Sequence, residues 1–309
     1  MKGSILKTIA LTIMCLCCVA ESSARTDADM ENTEVFTLLS LSEDNIYVGA
    51  PVCFSVRLLS TNPEIDFVRP LTHPEFTGFD VRRYPMARTN RYSHITREKY
   101  DGEMYYAVWL EDIVLIPKES GSFTIESGDY IVGINEYEVF SDPFWGTVRR
   151  AVPEEYPVKG TKIKLKVKNL PGKAPAGFSG AVGEFNISAS VPRSATKGNQ
   201  GTVYIQISGE GDLSGVEIPD LMSKFPASLG IKSVSQNVDS YLEDGNILSR
   251  LTFECTFSPL ADENVVIPEI PFVYFNPRTK KYETKTSSPV EIRIEESTPH
   301  GERPIYQEI

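Results

Sequence analysis

Short runs of alternating apolar and polar residues cover most of the chain, a period of two that is typical of half-buried β-strands. Clear examples are residues 52–58, 163–168, 203–207 and 251–257. Gly, Pro, Asn and Asp separate the runs, and no segment keeps a helical period beyond two turns. Only residues 221–225 favour a single helical turn. The pattern therefore predicts an all-β chain of antiparallel strands.

The two halves of the chain repeat the same order of features. Each opens with a strand after a glycine turn, at Gly49 and at Gly198, and each closes with a strand, a proline and a hairpin. Because each half is long enough to bury its own core, we expect two tandem immunoglobulin-like antiparallel β-sandwich domains after a signal peptide. The predicted segments are a signal peptide (1–24), a first sandwich (33–169), a Gly/Pro-rich junction (170–183), a second sandwich (184–296) and a polar tail (297–309). A flexible hinge and a fixed turn both fit the junction.

The N-terminal sequence has the order of a secretory signal. Lys2 and Lys7 are the only charged side chains before Glu21, and the small residues 22–24 follow an apolar stretch. This stretch is short for a membrane span, which needs about 20 residues. We therefore predict an exported protein, with an uncleaved N-terminal anchor as the alternative.

The five cysteines fall into two groups. Cys15, Cys17 and Cys18 belong to the predicted signal and would be lost on export. Cys53 and Cys255 lie one in each half, so a disulfide between them would have to cross the domains. We predict two free, buried thiols and a fold that rests on its hydrophobic core rather than on disulfides.

The composition is acidic, with 42 Asp and Glu against 31 Lys and Arg and a net charge of −11. This balance argues against binding to nucleic acid or to anionic lipid. Lysines alternate with apolar residues in 162–168, which predicts a solvated sheet face or a protected edge strand. An open edge there would favour strand addition, whereas an internal position would assign recognition to loops.

No catalytic or metal-binding constellation is visible. The histidines His73, His94 and His300 are far apart, and no Cys/His spacing suits zinc. Residues 209–215 approach a dinucleotide fingerprint, but the third glycine comes one residue late. Residues 177–181 approach a nucleophile elbow but end in alanine instead of glycine. We predict a protein that is not an enzyme and uses no cofactor or metal.

The segment from Arg82 to Tyr106 is rich in tyrosine and arginine, which are favoured at protein interfaces and, for tyrosine, in sugar sites. An ordinary loop and hairpin with amphipathic side chains is the alternative. The candidate partner-binding residues in this segment are Arg91, Tyr92, Arg97, Tyr100, Tyr105 and Tyr106.

Residues 175–185, PAGFSGAVGEF, resemble a signature of the BatD-like oxygen tolerance family of the Bacteroides aerotolerance operon. Residues 207–213 resemble its SGxGN turn with Asp212 in place of Asn, and 272–277 resemble its F-x-YFDP run with Asn276 in place of Asp. The resemblance covers roughly residues 35–295. The motif residues are Gly177, Phe178, Ser179, Gly180, Gly183, Phe185, Gly209, Gly211, Tyr274, Phe275, Asn276 and Pro277.

The resemblance implies an exported, β-rich protein without known enzymatic activity that works beside von Willebrand A-domain membrane proteins and a tetratricopeptide protein of the same operon. Larger family members carry a C-terminal membrane span, and no such run follows Ile294, so membrane association is expected to be indirect or through the N-terminal segment. We predict a periplasmic interaction or scaffold protein that binds partner proteins through β-sandwich loops or edges. The alternative is a secreted carbohydrate-binding or adhesin module that uses the Tyr/Arg-rich surface.

Overall fold

A computed structural model describes residues 33–84 and 95–295, and most of these residues lie in β-strands. The helical content of the described part is two short 3-10 helices, Leu221–Lys224 and Ala227–Leu229. The first of them is the helical turn expected before Pro226. The all-β prediction is confirmed. The expectation of antiparallel strands holds for most neighbouring pairs, whereas three pairs within the described residues are parallel.

The N-terminal half forms three sheets. A five-stranded sheet has the order β1-β3-β7-β5 with β6 also paired to β7, and two three-stranded sheets have the orders β10-β9-β4 and β2-β11-β8. The strands are β1 (Val35–Leu41), β2 (Asn45–Tyr47), β3 (Val52–Ser60), β4 (Ile65–Pro70), β5 (Phe79–Arg82), β6 (Thr96–Tyr100), β7 (Glu103–Pro117), β8 (Gly121–Glu126), β9 (Tyr130–Asp142), β10 (Gly146–Val158) and β11 (Lys162–Lys168).

The C-terminal half forms two sheets. A six-stranded sheet has the order β15-β16-β14-β12-β18-β19, and a three-stranded sheet has the order β13-β20-β17. The strands are β12 (Phe178–Ser190), β13 (Ser194–Thr196), β14 (Gly201–Gly211), β15 (Ile231–Glu243), β16 (Asn246–Phe257), β17 (Val265–Ile267), β18 (Pro271–Asn276), β19 (Lys281–Thr286) and β20 (Val290–Glu295).

Each half has its own hydrophobic core, built from side chains of facing sheets. Phe54 of β3, Ile134 of β9 and Leu165 of β11 meet in the N-terminal core. In the C-terminal core, side chains of the large sheet such as Phe257 of β16 pack with Ile292 of β20. Because alternate residues of a strand face opposite sides, the period of two in the sequence supplies these core faces.

Both described cysteines are free and buried, as the sequence predicts. Cys53 lies in β3 and Cys255 in β16. Burial raises the pKa of each thiol to about 11.

The last part of the predicted junction is strand rather than loop, because β12 begins at Phe178. The Ser179 hydroxyl donates to the Val273 carbonyl at 2.7 Å and accepts from the Ala181 N–H at 3.2 Å. These bonds accompany a shift in the register of β12 against β18. Strand pairing therefore holds this end of the junction in one geometry.

The two halves touch at several places, one of them a hydrogen bond that the Arg82 guanidinium donates to the Ser214 hydroxyl at 3.0 Å. Val182 of β12 and Phe275 of β18 lie in the core of the N-terminal half. Ile247 of the β15–β16 hairpin is buried against Val114 and Ile116 of β7. In line with these contacts, the described residues from Val35 onward belong to one compact unit.

Candidate functional site

Three of the motif glycines, Gly183, Gly209 and Gly211, stand where two strands come too close for a side chain. Gly183 of β12 is paired with Gly211 of β14. A Cβ on Gly183 would lie 2.1 Å from the carbonyl oxygen of Glu210, and a Cβ on Gly211 would lie 2.5 Å from the ring of Phe185. A Cβ on Gly209 would lie 2.0 Å from a carbonyl oxygen of β12. These glycines and Phe185 therefore form one packing unit.

The second motif segment builds the β18–β19 hairpin. The side-chain oxygen of Asn276 accepts the N–H groups of Arg278 and Thr279 at 2.9 and 3.2 Å. Glu283 accepts the hydroxyl groups of Thr279 at 2.6 Å and Tyr274 at 2.8 Å. Burial, followed by this carboxylate, raises the pKa of Tyr274 to about 12. The hydrogen bonds in turn lower the pKa of Glu283.

The motif aromatics form part of the contact between the halves. The rings of Phe275 and Tyr47 are 4.9 Å apart, and Tyr282 packs on both Phe275 and Phe178. Pro277 lines a cavity of about 510 Å³ beside this contact. The structure therefore gives the motif residues packing and turn-forming positions. The sequence identified these residues only through the resemblance to the BatD-like family.

The Tyr/Arg-rich segment forms an exposed surface only in part. Arg91 and Tyr92 lie outside the described residues. Tyr105 is 6 % exposed and packs edge-on against Phe36, with ring centroids 5.3 Å apart. Tyr105 is therefore not available for a partner. Tyr100 is 41 % exposed.

Arg97 and Tyr106 form a pair on the surface of the β6–β7 hairpin. The Arg97 guanidinium donates to the Tyr106 hydroxyl at 3.1 Å and lies 5.3 Å from the centre of its ring. Both side chains thus already have a partner. Of the predicted partner-binding residues in the described part of the chain, Arg97, Tyr100 and Tyr106 are the ones on the surface.

The lysine-rich strand β11 is internal, because it pairs with β2 on one side and with β8 on the other. Its lysines Lys162, Lys164 and Lys166 are exposed while Leu165 and Val167 are buried. The prediction of a solvated lysine face is confirmed. β2 covers Lys166–Lys168, so no strand can be added to that part of β11.

An open edge lies elsewhere, at β15. This strand pairs with β16 from Ile231 to Glu243, and within residues 33–84 and 95–295 no strand pairs with its other side. Val234 and Val238 pack on the core, whereas Ser235 and Asn237 face solvent. Sequence reasoning missed this edge because the pairing order of strands depends on residues far apart in the chain.

A long hairpin projects from the N-terminal half. β9 and β10 are paired over their full length, from Tyr130↔Val158 to Asp142↔Gly146. The third strand of that sheet, β4, covers β9 only as far as Ile134. Residues 135–153 therefore form a two-stranded β-ribbon, which we call the arm.

The tip of the arm presents two bare aromatic rings. Phe144 is 93 % exposed and Trp145 is 84 % exposed. The Asp142 carboxylate accepts the N–H groups of both residues at 2.8 and 2.9 Å, and Gly146 adopts a φ of +74°. This is a three-residue hairpin loop closed by a left-handed glycine. The sequence DPFWG carries that turn signal, with proline after the aspartate.

A cavity of about 640 Å³ lies between β7 and the tip of the β15–β16 hairpin. Tyr84, Trp109 and Tyr241 line it together with Asp112 and Glu243. The Ser55 hydroxyl donates to the Asp112 carboxylate at 2.6 Å. Aromatic faces beside carboxylates are a combination that can hold a sugar ring.

Groups for catalysis or metal binding do not converge in the described part of the chain. His73 lines a cavity with Ser122 and Glu126 but makes no hydrogen bond within residues 33–84 and 95–295. No cluster of three His, Cys, Asp or Glu side chains there could hold a metal ion. None of the helices in these same residues has the length and apolar character needed to cross a membrane.

The chain matches no protein-family model, and none of the curated proteins is significantly similar to it. The resemblance to the BatD-like family therefore rests on the motif residues alone.

Proposed function

We propose that this chain is a non-enzymatic, periplasmic interaction protein of a BatD-like envelope complex, built from two immunoglobulin-like sandwiches. Separate cores in the two halves and antiparallel pairing of most neighbouring strands support that architecture. A partner protein adds a β-strand to the open edge of β15. The partners implied by the resemblance are von Willebrand A-domain and tetratricopeptide proteins.

The observation that carries this proposal is the length of the free β15 edge. From Val234 to Glu243 the strand is regularly paired with β16, so every second residue directs its N–H and C=O groups to the open side. Unpaired groups in a straight row are a template for another strand. No proline interrupts the row.

The side chains along this edge indicate the chemistry of the partner strand. One face presents Val234, Val238 and Leu242, which pack on buried side chains. The other face presents Asp239 and Glu243 to solvent. A complementary strand carries apolar residues on the first face and basic residues on the second, because opposite charges on neighbouring strands attract.

Proline substitutions at two neighbouring positions provide the test. Gln236 and Asn237 are neighbours in β15 and pair with Phe253 and Thr252 of β16. The backbone N–H of one of them points to β16, and that of the other points to the open side. Proline at the open-side position leaves the sheet intact and blocks the incoming strand. Proline at the other position removes a hydrogen bond to β16 and lowers the unfolding midpoint. The stability of the two variants therefore shows which of the two N–H groups faces the open side.

The readout is copurification of envelope proteins from crosslinked cells and from detergent extracts. The wild-type protein is expected to recover partner proteins, and the stable proline variant is expected to lose them. Equal recovery by the wild type and the stable variant would exclude the β15 edge. No recovered protein in either extract would contradict the interaction function itself.

A carbohydrate-binding module is the second candidate, and the cavity lined by Tyr84, Trp109 and Tyr241 favours it. This site replaces the Tyr/Arg-rich surface, where Tyr105 is buried. A glycan array on the wild type and on Trp109→Ala tests it. Saturable binding that disappears in the variant supports this function, and absence of any glycan binding by the wild type contradicts it.

A further inference from the structure

The tip of the arm is a convex apolar surface with no cover in the described structure. Phe144 and Trp145 form its apex, and Val139 and Phe140, which are 62 % and 45 % exposed, lie directly behind them. Large aromatic side chains exposed to this extent are rare on a protein surface, and grouped ones mark a binding site. Such a surface favours a binding role for the tip.

The available area is small for a protein partner. Two aromatic side chains bury roughly 150–250 Å² each. Phe144 and Trp145 thus offer about 300–500 Å², to which Val139 and Phe140 add only their exposed parts, against about 800 Å² per partner in a stable protein interface. Below the apex, the arm is only two strands wide. A lipid surface needs no matching pocket and accepts such a narrow, convex wedge.

The spacing of charge along the arm fits the depth of a membrane interface. Arg149 pairs with Val139, three residue pairs behind Asp142 and Gly146. At about 3.4 Å per residue, the backbone of Arg149 lies about 10 Å behind the last strand pair of the arm. Interfacial anchors bury their apolar side chains about 5–10 Å into the headgroup and acyl boundary. Arg149 would therefore lie at the level of the lipid phosphates.

The net charge of the arm is small, which suits contact with an uncharged membrane surface. Residues 135–153 carry three acids, Glu136, Glu138 and Asp142, and two bases, Arg149 and Arg150, so the arm has a net charge of −1 whereas the whole chain has −11. Neither arginine forms an ion pair within the described residues, and Arg149 lies 4.7 Å from the centre of the Tyr137 ring. Neither guanidinium has a carboxylate partner there, so both can contact phosphate.

We propose that the tip of the arm inserts Phe144 and Trp145 into the interfacial layer of a lipid bilayer. Trp is enriched at this layer because its ring is apolar and its N–H needs a polar partner. The surface is separate from the β15 edge, so the inference does not rest on the proposed function. A proline variant of β15 leaves lipid binding unchanged.

Trp fluorescence tests the insertion directly, because the chain has only two tryptophans, Trp109 and Trp145. The full-length Trp109→Phe variant reports Trp145 alone. With phosphatidylcholine vesicles brominated on the acyl chains, its emission is expected to shift to shorter wavelength and to be quenched. Phe144→Asp in the same background is expected to lose both effects, with the fold verified by circular dichroism.

The matched control is Trp145→Phe, which keeps an aromatic tip and leaves Trp109 as the reporter. Trp109 lies in β7 with the Arg57 guanidinium 5.3 Å from its ring, and the same vesicles are expected to leave it unquenched. Unquenched Trp145 at saturating vesicle concentration would overturn the proposal, even if the protein floats with the vesicles through another segment. Quenching of Trp145 that persists in the Phe144→Asp variant would also overturn the proposal. The same holds if the emission of Trp145 shifts only with envelope proteins in detergent and not with vesicles.

Discussion

At the scale of single residues, the shape of the C-terminal half depends on places where the backbone of one strand approaches its neighbour. Gly183, Gly209 and Gly211 leave the room that Phe185 fills. In the sequence, these glycines were identified only as matches to the family signature, without a structural role. Their physical role depends on the pairing of β12 with β14, which brings together residues more than twenty positions apart.

Gly183→Ala is expected to destabilise the protein by at least about 3 kcal/mol, because its Cβ would overlap the carbonyl oxygen of Glu210. Gly180→Ala is the matched control. Gly180 has a φ of +85°, but no atom lies within 4 Å of the place its Cβ would take, so roughly 1–2 kcal/mol of backbone strain is expected. Urea unfolding of the two variants measures the difference, and equal losses would contradict the packing role of Gly183.

The hydrogen bonds to Glu283 predict a pH dependence of stability. Bonds from Thr279, Tyr274 and Asn276 hold the pKa of this carboxyl below its ordinary value of 4.5. A lowered pKa stabilises the folded state above pH 4.5, and this contribution is lost as the pH falls through the folded value. Glu283→Gln is therefore expected to lower stability at neutral pH and to flatten the acid side of the curve.

Urea unfolding across the acid range provides the measurement for Glu283→Gln. The control is Glu217→Gln, because Glu217 is exposed and forms no ion pair within the described residues. The control is expected to follow the wild-type curve. A Glu283→Gln curve parallel to that of the wild type would show that the hairpin bonds do not stabilise the charged form.

The buried thiols are expected to be inert in the folded protein. With a pKa of about 11, about one thiol in a thousand is ionised at pH 8, and the thiolate is the reactive form. Alkylation followed by peptide mass mapping should leave Cys53 and Cys255 unmodified until urea unfolds the chain. Rapid labelling of either cysteine in the native state would contradict its burial.

At the scale of elements, alternation in the sequence predicts where strands lie but not what lies beside them. β11 was identified from its lysines, whereas its internal position depends on distant partners, β2 and β8. The period of two also applies to Tyr105 and Tyr106, because neighbouring residues in a strand face opposite sides of the sheet. Tyr105 and Tyr106 could not both face solvent, and Tyr105 is the buried one.

Neighbouring residues of β11 are expected to respond very differently to substitution. Leu165 is fully enclosed in the N-terminal core, so Leu165→Ala is expected to cost about 2–5 kcal/mol. Lys164 points to solvent, so Lys164→Ser is expected to change stability by less than about 0.5 kcal/mol. Thermal and urea unfolding check both values, and comparable losses would contradict the assigned faces.

At the scale of the whole molecule, sequence reasoning reached the strand-rich fold but not the surfaces that the two halves expose. The arm was readable in part, because DPFWG marks a hairpin tip, yet its projection depends on β4, which begins at Ile65 and covers β9 no further than Ile134. The edge of β15 depends on the strand order of a six-stranded sheet. Both surfaces follow from packing between distant segments.

Hydrogen–deuterium exchange of β15 in the complex with a copurified partner tests the central claim most directly. Amides on the open edge exchange rapidly while unpaired, and an added strand protects them. The predicted result is slower exchange at every second residue between Val234 and Glu243. Unchanged exchange throughout β15 in a complex that has formed would show that the partner binds elsewhere, and would contradict strand addition.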